Sequence, residues 1–310
     1  MLRIQYHKYG GPEVMRLETY ELPPPGKNEL LVRVEAASIN PLDWKLRQGF
    51  MKFMMGGRFP RAMGMDFSGI VERVGSGVTG FGRGDAVLGQ TPMMKPGAFA
   101  EMAITTADLV IRKPDSLSGP AAAALPTVAV TAWRALVDGG KLKAGQSVFI
   151  NGASGGVGQA AIAVARTFGA VITARAGPSS LASFADLGLA RVLDYTQPVP
   201  DDLKGAFDVV FDCHGSLRPA AEAFLTRRSG IVVNIDPTMG NLIRSLVSRR
   251  HSFIRGVMST SILQKVAELA VAGQFTLPIS RTASLSESIS LIGQLEAGNR
   301  LPGKSVIVMG

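Results

Sequence analysis

"VFINGASGGVGQAAIAVARTFGA", residues 148–170, decides the fold. Val148, Phe149 and Ile150 read as a short apolar strand. They run into Gly152-Ala153-Ser154-Gly155-Gly156-Val157-Gly158, and an apolar-periodic helix follows at once. Gly155 and Gly156 let backbone amides approach a pyrophosphate, while Gly158 lets the helix pack close to the strand. The positive end of the helix faces the phosphates. A lone glycine pattern serves packing as often as ligand binding. A strand before it and a helix after it make this one a dinucleotide turn, with Gly152, Ser154, Gly155, Gly156, Val157 and Gly158 as its binding residues.

Downstream of this turn the texture repeats. Strand-like runs "AVITA" (170–174), "RVLD" (191–194), "FDVVF" (207–211) and "GIVVNI" (230–235) alternate with helical stretches such as "PSSLASFADLG" (178–188). Such alternation predicts an α/β unit, a doubly wound parallel sheet covered on both faces. "SILQKVAELAVAGQ" (261–274) closes it as an amphipathic helix with Ile262, Val266, Leu269 and Ala270 on one face and Gly273 as the stop. Upstream, "ELLVRVEAA" (29–37) alternates Val32, Val34 and Ala36 against Arg33 and Glu35, as a half-buried strand does. "GMDFSGIVERVGSGVTGFGRGDAVLG" (64–89) and "KPGAFAEMAITTADLVIRKP" (95–114) are apolar pairs broken by turn residues, the pattern of a barrel-like all-β unit. The expected division is residues 1–119 and 275–310 for this β unit and 120–274 for the dinucleotide unit.

The end of the strand after the turn sets the cofactor. A dinucleotide without a 2′-phosphate usually meets an Asp or Glu there. "AVITARAGPSS" (170–180) has none before Asp186, and Arg175, Ser179 and Ser180 suit a 2′-phosphate. NADPH is therefore the expected cofactor. Against it stands the reading of Arg175 as a solvated loop charge.

Composition narrows the rest. The 310 residues carry a net charge of +9, 46% hydrophobic residues and one cysteine, Cys213, which excludes an intrachain disulfide and a multi-cysteine zinc site. The first ten residues alternate like a strand, and the longest apolar run, 120–133, contains Pro126 and is short for a membrane span. A cytoplasmic protein is expected, with no membrane partner. The basic cluster Arg244, Arg249, Arg250, His251 and Arg255 lacks interleaved aromatics, so nucleic acid is not the expected partner.

"ASINPLDWKLRQG" (37–49) stays open on local grounds. Asn40 as N-cap, Pro41 at the first helical position, Asp43 at the third and Gly49 past the end describe a capped helix. The same turn can equally line a site.

With these residues in hand, the chain resembles the zinc-independent quinone oxidoreductase and enone reductase branch of the medium-chain dehydrogenase/reductase superfamily. The likeness runs through "GMDFSGIVERVGSGVTGFGRGDAV", "GAFAEMAI", "ALPTVAVTAW" (124–133), "GQSVFINGASGGVG" (145–158) and "GKSVIVM" (303–309). It implies a GroES-like β-barrel catalytic domain built from both chain ends, with a Rossmann domain inserted and the active site in the cleft between them. Where zinc-dependent members carry Cys and His ligands, this chain reads "ASINPLDW" and "GMDFSG", so no metal is expected. The resemblance implies that Thr127 borders the nicotinamide, Tyr195 in "LDYT" contacts the adenosine part, and Cys213 and His214 in "FDCHG" lie near the nicotinamide ribose. It also suggests Lys304 as a cofactor contact and an edge-strand homodimer through "SFIRGVM" (252–258). The blander readings are a helix cap for Thr127, a strand-end aromatic for Tyr195, a small buried hydrophobe for Cys213 and a satisfied loop histidine for His214.

The implied reaction is NADPH-dependent reduction of a quinone or an α,β-unsaturated carbonyl, governed by positioning, with Asn40 hydrogen-bonding the substrate or nicotinamide region and Asp43 orienting it. Trp44 and "GFMKFMM" (49–55) either shape an apolar pocket or simply pack. Enoyl-thioester reduction and a weakly catalytic NADPH-binding regulator or RNA-binding protein are the alternatives.

Overall fold

The computed structural model describes residues 1–299 and 301–310. Strands Ser147–Asn151, Val171–Ala176, Arg191–Asp194, Phe207–Asp212, Thr226–Asn234 and His251–Phe253 form one sheet in which every pairing is parallel. In space the order is 191–194, 171–176, 147–151, 207–212, 226–234, 251–253. The strand that feeds the glycine turn is thus flanked on one side by the next strand in sequence and on the other by Phe207–Asp212. This is where strand order reverses, and such a reversal leaves a crevice at the carboxyl ends of the strands.

Alternation explains why this sheet is covered on both faces. Val148, Phe149 and Ile150 are all fully buried. Val148 and Ile150 join a core with the helical Ala161, Val164 and Leu263, whereas Phe149 packs on the opposite side with Phe207, Leu217 and Leu225. The segment 178–187 is a 3-10 helix, not a regular α-helix. In the helix Thr260–Val271 the fully buried residues are Leu263, Val266 and Ala267; Val266 is as expected, whereas Ile262, Leu269 and Ala270 pack at the margin of that stripe.

The other unit is β-rich. A seven-stranded sheet runs Ile279–Ser284, Lys304–Val308, Glu29–Ser38, Asp66–Val74, Ala86–Gln90 and Val110–Arg112, with Met102–Thr106 paired onto Glu29–Ser38. Register shifts between Glu29–Ser38 and Asp66–Val74 curve it. A three-stranded sheet of Leu2–Tyr6, Met15–Thr19 and Arg61–Ala62 closes against it around Phe67, Phe99 and Val32. The final strand returns to this unit, with Val306 opposite Ser38 and Ile307 opposite Ala37. That pairing brings Lys304 beside the Asn40 turn.

Candidate active site

The glycine turn is built by sterics. Gly152 has φ +81°, a conformation that favours glycine. A Cβ on Gly158 would lie 2.4 Å from the Gly152 carbonyl oxygen, so only glycine lets the helix Gly156–Thr167 start this close to the strand. Gly155 is the opposite case: it is exposed, and the only atom near its Cβ position is the Gly152 oxygen at 3.6 Å. It leaves a bare backbone surface at the helix N-terminus, where the first amides lack intrahelical partners. Ser154 and Val157, both half-buried, flank that surface. A cradle that a side chain at Gly155 would fill fits the pyrophosphate of a dinucleotide. Gly156 has a further reason for lacking a side chain. Its Cβ would lie 2.8 Å from Lys304 Cδ and 3.1 Å from Val128 Cγ1, so here the two units meet.

Around the rim, the Arg175 guanidinium donates to the Tyr195 carbonyl at 2.8 Å and more weakly to that of Gln197 at 3.4 Å. It is a held group, half-buried at the carboxyl end of its strand, and not a free loop charge. Ser179 is exposed and Ser180 buried at the start of the 3-10 helix. Tyr195 is 57% exposed, with its ring against Gly177. Asp212 shapes the neighbouring turn by accepting from the N–H groups of His214, Gly215 and Leu217 and from Asn151 Nδ2. His214, exposed, lies over Gly152. Burial, with Asp212 nearby, pushes the Cys213 thiol well up, away from the thiolate.

Beside the turn lies a polar network, most of it buried in the β unit and reaching across to Thr127. The helix Pro41–Arg47 starts as the sequence predicts, with Asn40 at the N-cap and Gly49, φ +95°, past its end. Asn40 and Asp43 face each other as a capping box, Asp43 Oδ2 accepting from the Asn40 N–H at 2.7 Å. The Asn40 amide, however, is not left free for substrate. Its Oδ1 accepts from Lys304 Nζ at 2.6 Å and its Nδ2 donates to Asp66 Oδ2 at 2.9 Å. The reason is burial: Asn40 is 3% exposed, and a buried amide must satisfy both ends.

Asp66, fully buried, is the hub. It accepts from Asn40, from Gln90 Nε2 at 2.8 Å, from Thr127 Oγ1 at 2.7 Å and from the Thr127 N–H at 3.1 Å. Gln90 also donates to Thr127 Oγ1 at 2.7 Å. Thr127, half-buried, stands in the first turn of the helix Pro126–Trp133. Lys304 donates in addition to the Ile39 carbonyl at 2.9 Å. Burial pulls its ammonium down, and the charges of Asp66 and Asp43 resist this. For Asp43, burial pushes the carboxyl up to about 7; the Asn40 N–H opposes that shift, Asp66 adds to it and Lys304 counters it.

The sequence-named residues thus fall into two clusters that meet at Gly156. The pattern missed Asp66 and Gln90. Asp66 carries a signal, being an acid set among apolar residues at the start of a strand; Gln90 carries none. Trp44 is buried in the β-unit core, and Met55 is buried as well, whereas Phe50, Phe53 and Met54 project with 58, 94 and 68% exposure. Among the described residues no three His, Cys, Asp or Glu side chains are grouped to hold a metal ion.

Residues 26–115 match the family model of the alcohol dehydrogenase GroES-like domain. The chain is 32% identical to a chloroplast envelope quinone oxidoreductase homolog of Arabidopsis thaliana, over 76% of this chain and 75% of that protein. It is 33% identical to the mitochondrial NAD(P)H oxidoreductase RTN4IP1 of Mus musculus, over 97% of this chain and 87% of that one. Among solved structures, the quinone oxidoreductase from Coxiella burnetii superposes with a TM-score of 0.88 at 28% identity, over 99% of both chains.

Proposed function

Since the chain belongs to the quinone oxidoreductase-like members of the medium-chain dehydrogenase/reductase superfamily, NAD(P)H-dependent oxidoreductases, we propose that it uses NADPH to reduce a quinone or an α,β-unsaturated carbonyl compound. The observation that carries this reading is the contact at Gly156. It sets an open dinucleotide turn directly against a polar network that ties Lys304, Asn40 and Asp66 of the other unit to Thr127.

When bound, NADPH supplies a hydride to an electrophilic acceptor. The chain's own part is to bind and orient. Backbone amides at Gly156 and Val157 hold the pyrophosphate over the bare backbone of Gly155, whose own N–H closes the turn onto the Gly152 carbonyl at 3.2 Å, with Gly152, Ser154 and Gly158 shaping the turn. Arg175, Ser179 and Ser180 hold the 2′-phosphate, and the missing carboxylate at that strand end removes the usual partner of an unphosphorylated ribose. Tyr195 covers the adenosine side, while Cys213 and His214 lie beside the nicotinamide ribose. Thr127 borders the nicotinamide, its hydroxyl fixed by Asp66 and Gln90. Asn40 sets the position of this wall with its amide held at both ends, and Asp43 fixes the Asn40 backbone. A reaction of this kind gains chiefly from fixed orientation. The proton that completes the reduction comes from solvent in this reading, and no metal takes part. The exposed Phe50, Phe53 and Met54, in the segment that follows the Asn40 helix, offer apolar surface to a planar acceptor in this reading.

A homodimer belongs to the same reading. The strand His251–Phe253 ends the parallel sheet, and beside it the helix Met239–Val247 exposes Leu246 and Val247 at 85 and 77%. Light scattering behind a sizing column tests this, a monomer mass at working concentration removing it. Among the described residues no helix is long and apolar enough to cross a membrane. The expected cytoplasmic location rests on the sequence, while the two relatives' names place them in a chloroplast envelope and in mitochondria.

The functional test is NADPH consumption, followed by absorbance, against quinones, enones and enoyl thioesters, run beside NADH. Turnover of quinones or enones with NADPH supports the assignment. Preference for NADH overturns the Arg175 argument, and turnover of thioesters alone reassigns the acceptor.

A further inference from the structure

Lys304 is the only buried lysine among the described residues, and it touches both halves of the site. Its aliphatic stem lies against Gly156, where a Cβ would come within 2.8 Å of Cδ. Its ammonium bonds the Ile39 carbonyl and Asn40 Oδ1. The backbone on either side is clamped in the same sense. The Gly303 N–H donates to the Ser154 carbonyl at 3.1 Å, and the Ile39 N–H donates to the Ser305 carbonyl at 3.0 Å. Residues 303–305 therefore staple the dinucleotide turn to the Asn40 turn.

Followed onward, the contacts close on themselves. Lys304 holds Asn40, Asn40 holds Asp66, and Asp66 holds both the N–H and the hydroxyl of Thr127. The next residue, Val128, has its Cγ1 3.1 Å from the Cβ position of Gly156, which the Lys304 stem also approaches. A ring of five residues thus begins and ends at the turn. Asp66 is a member of the ring and Asp43 caps Asn40 beside it, and the charge of Lys304 acts on both carboxyl groups while its ammonium bonds the Asn40 amide. A buried carboxylate without such a partner carries a large desolvation cost, so the cation sets how tightly the ring closes.

We infer that Lys304 is a positioning residue that links the dinucleotide turn to the Asn40–Asp66–Thr127 wall, so that the wall is held in register with a cofactor seated on the turn. This rests on the reading of the turn as the NADPH site. The stem takes up the position of Gly156, and the ammonium passes it to Asn40. Lys304 need not touch the cofactor for this.

Two measurements test it. The first uses the unmodified protein with 15N-labelled lysines. The Lys304 ammonium, bonded and buried, gives one slowly exchanging Nζ resonance, and saturating NADPH shifts it. NADPH binding is followed in parallel by fluorescence. Absence of binding removes the functional reading itself. Binding with an unmoved or freely exchanging Nζ signal overturns only the coupling. The second is a double-mutant cycle. Lys304→Met keeps the stem and removes the charge, so kcat falls by about tenfold or more while NADPH affinity stays within about threefold. Adding Asn40→Ala costs little more, because both act through one ring. Equal loss of kcat and affinity in Lys304→Met, wild-type kinetics in it, or additive losses in the double variant contradict the coupling. If Lys304→Met does not fold, the resonance measurement alone decides.

Discussion

The glycine turn and the Asn40–Asp66 network lie against one another, yet they are opposite kinds of structure. The turn is local, its residues following one another from Gly152 to Gly158, with Gly152, Gly156 and Gly158 required by backbone conformation or close contacts and Gly155 left open. The network is assembled from residues 40, 66, 90, 127 and 304, which only the tertiary fold brings together. The turn is partly exposed and leaves amides open at the start of its helix. The network is largely buried, with the polar atoms of Asn40, Asp66 and Lys304 committed to one another or to neighbours. The difference separates a surface made to receive a ligand from a frame made to hold still.

The sharpest way to break this contrast is at the hub. Asp66→Ala strands the donors of Asn40, Gln90 and Thr127 in a buried site, and loss of such a group costs about 3–5 kcal/mol. Chemical denaturation checks the stability, and turnover falls about a hundredfold or more in whatever folds. Asp66→Asn keeps the shape and recovers part of both. On the turn, Gly158→Ala drives a Cβ into the Gly152 carbonyl. Overpacking of this kind costs about 1–3 kcal/mol, and NADPH affinity measured by fluorescence drops with it.

How much of this the sequence alone reveals follows the same division. Strand, turn and helix are contiguous in 148–170, so the parallel sheet, its crevice and the turn proposed for the cofactor follow from periodicity and glycine spacing. The helix start at Asn40 and Pro41 and its end at Gly49 are equally local, and the structure has both. The use of the Asn40 amide is not local. N-cap chemistry speaks for its oxygen and leaves its NH₂ free, but the return of the last strand delivers Lys304 to that oxygen and the Glu29–Ser38 pairing delivers Asp66 to the nitrogen. No spacing rule links residues 40, 66 and 304. Arg175 is an intermediate case: its place is legible from the strand end, its bond to the Tyr195 carbonyl is not.

Two smaller effects sharpen the comparison. Arg175→Gln weakens NADPH, measured as its KM, by about tenfold while leaving NADH unchanged, the loss expected for one charge-assisted contact. A shift of equal size with both cofactors makes Arg175 a structural brace. Asp43 gives the network a pH signature. Its carboxyl is raised from 3.8 to about 7 in the folded chain, so its neutral form is the one folding favours. That stabilisation is complete below about pH 4 and is lost as pH rises toward 7. Asp43→Asn, which keeps an acceptor for the Asn40 N–H, removes this slope. Denaturation curves across that range show the wild type losing up to a few kcal/mol relative to the variant, the ceiling set by the size of the shift.

The most direct test of the whole arrangement is Asn40→Ala, with NADPH affinity and turnover measured on the same preparation. The account predicts that kcat on quinones or enones falls by about tenfold or more while NADPH affinity changes by less than about threefold, because the frame is damaged and the receiving surface is not. Unchanged turnover with unchanged affinity would remove Asn40, and the network built on it, from the working site.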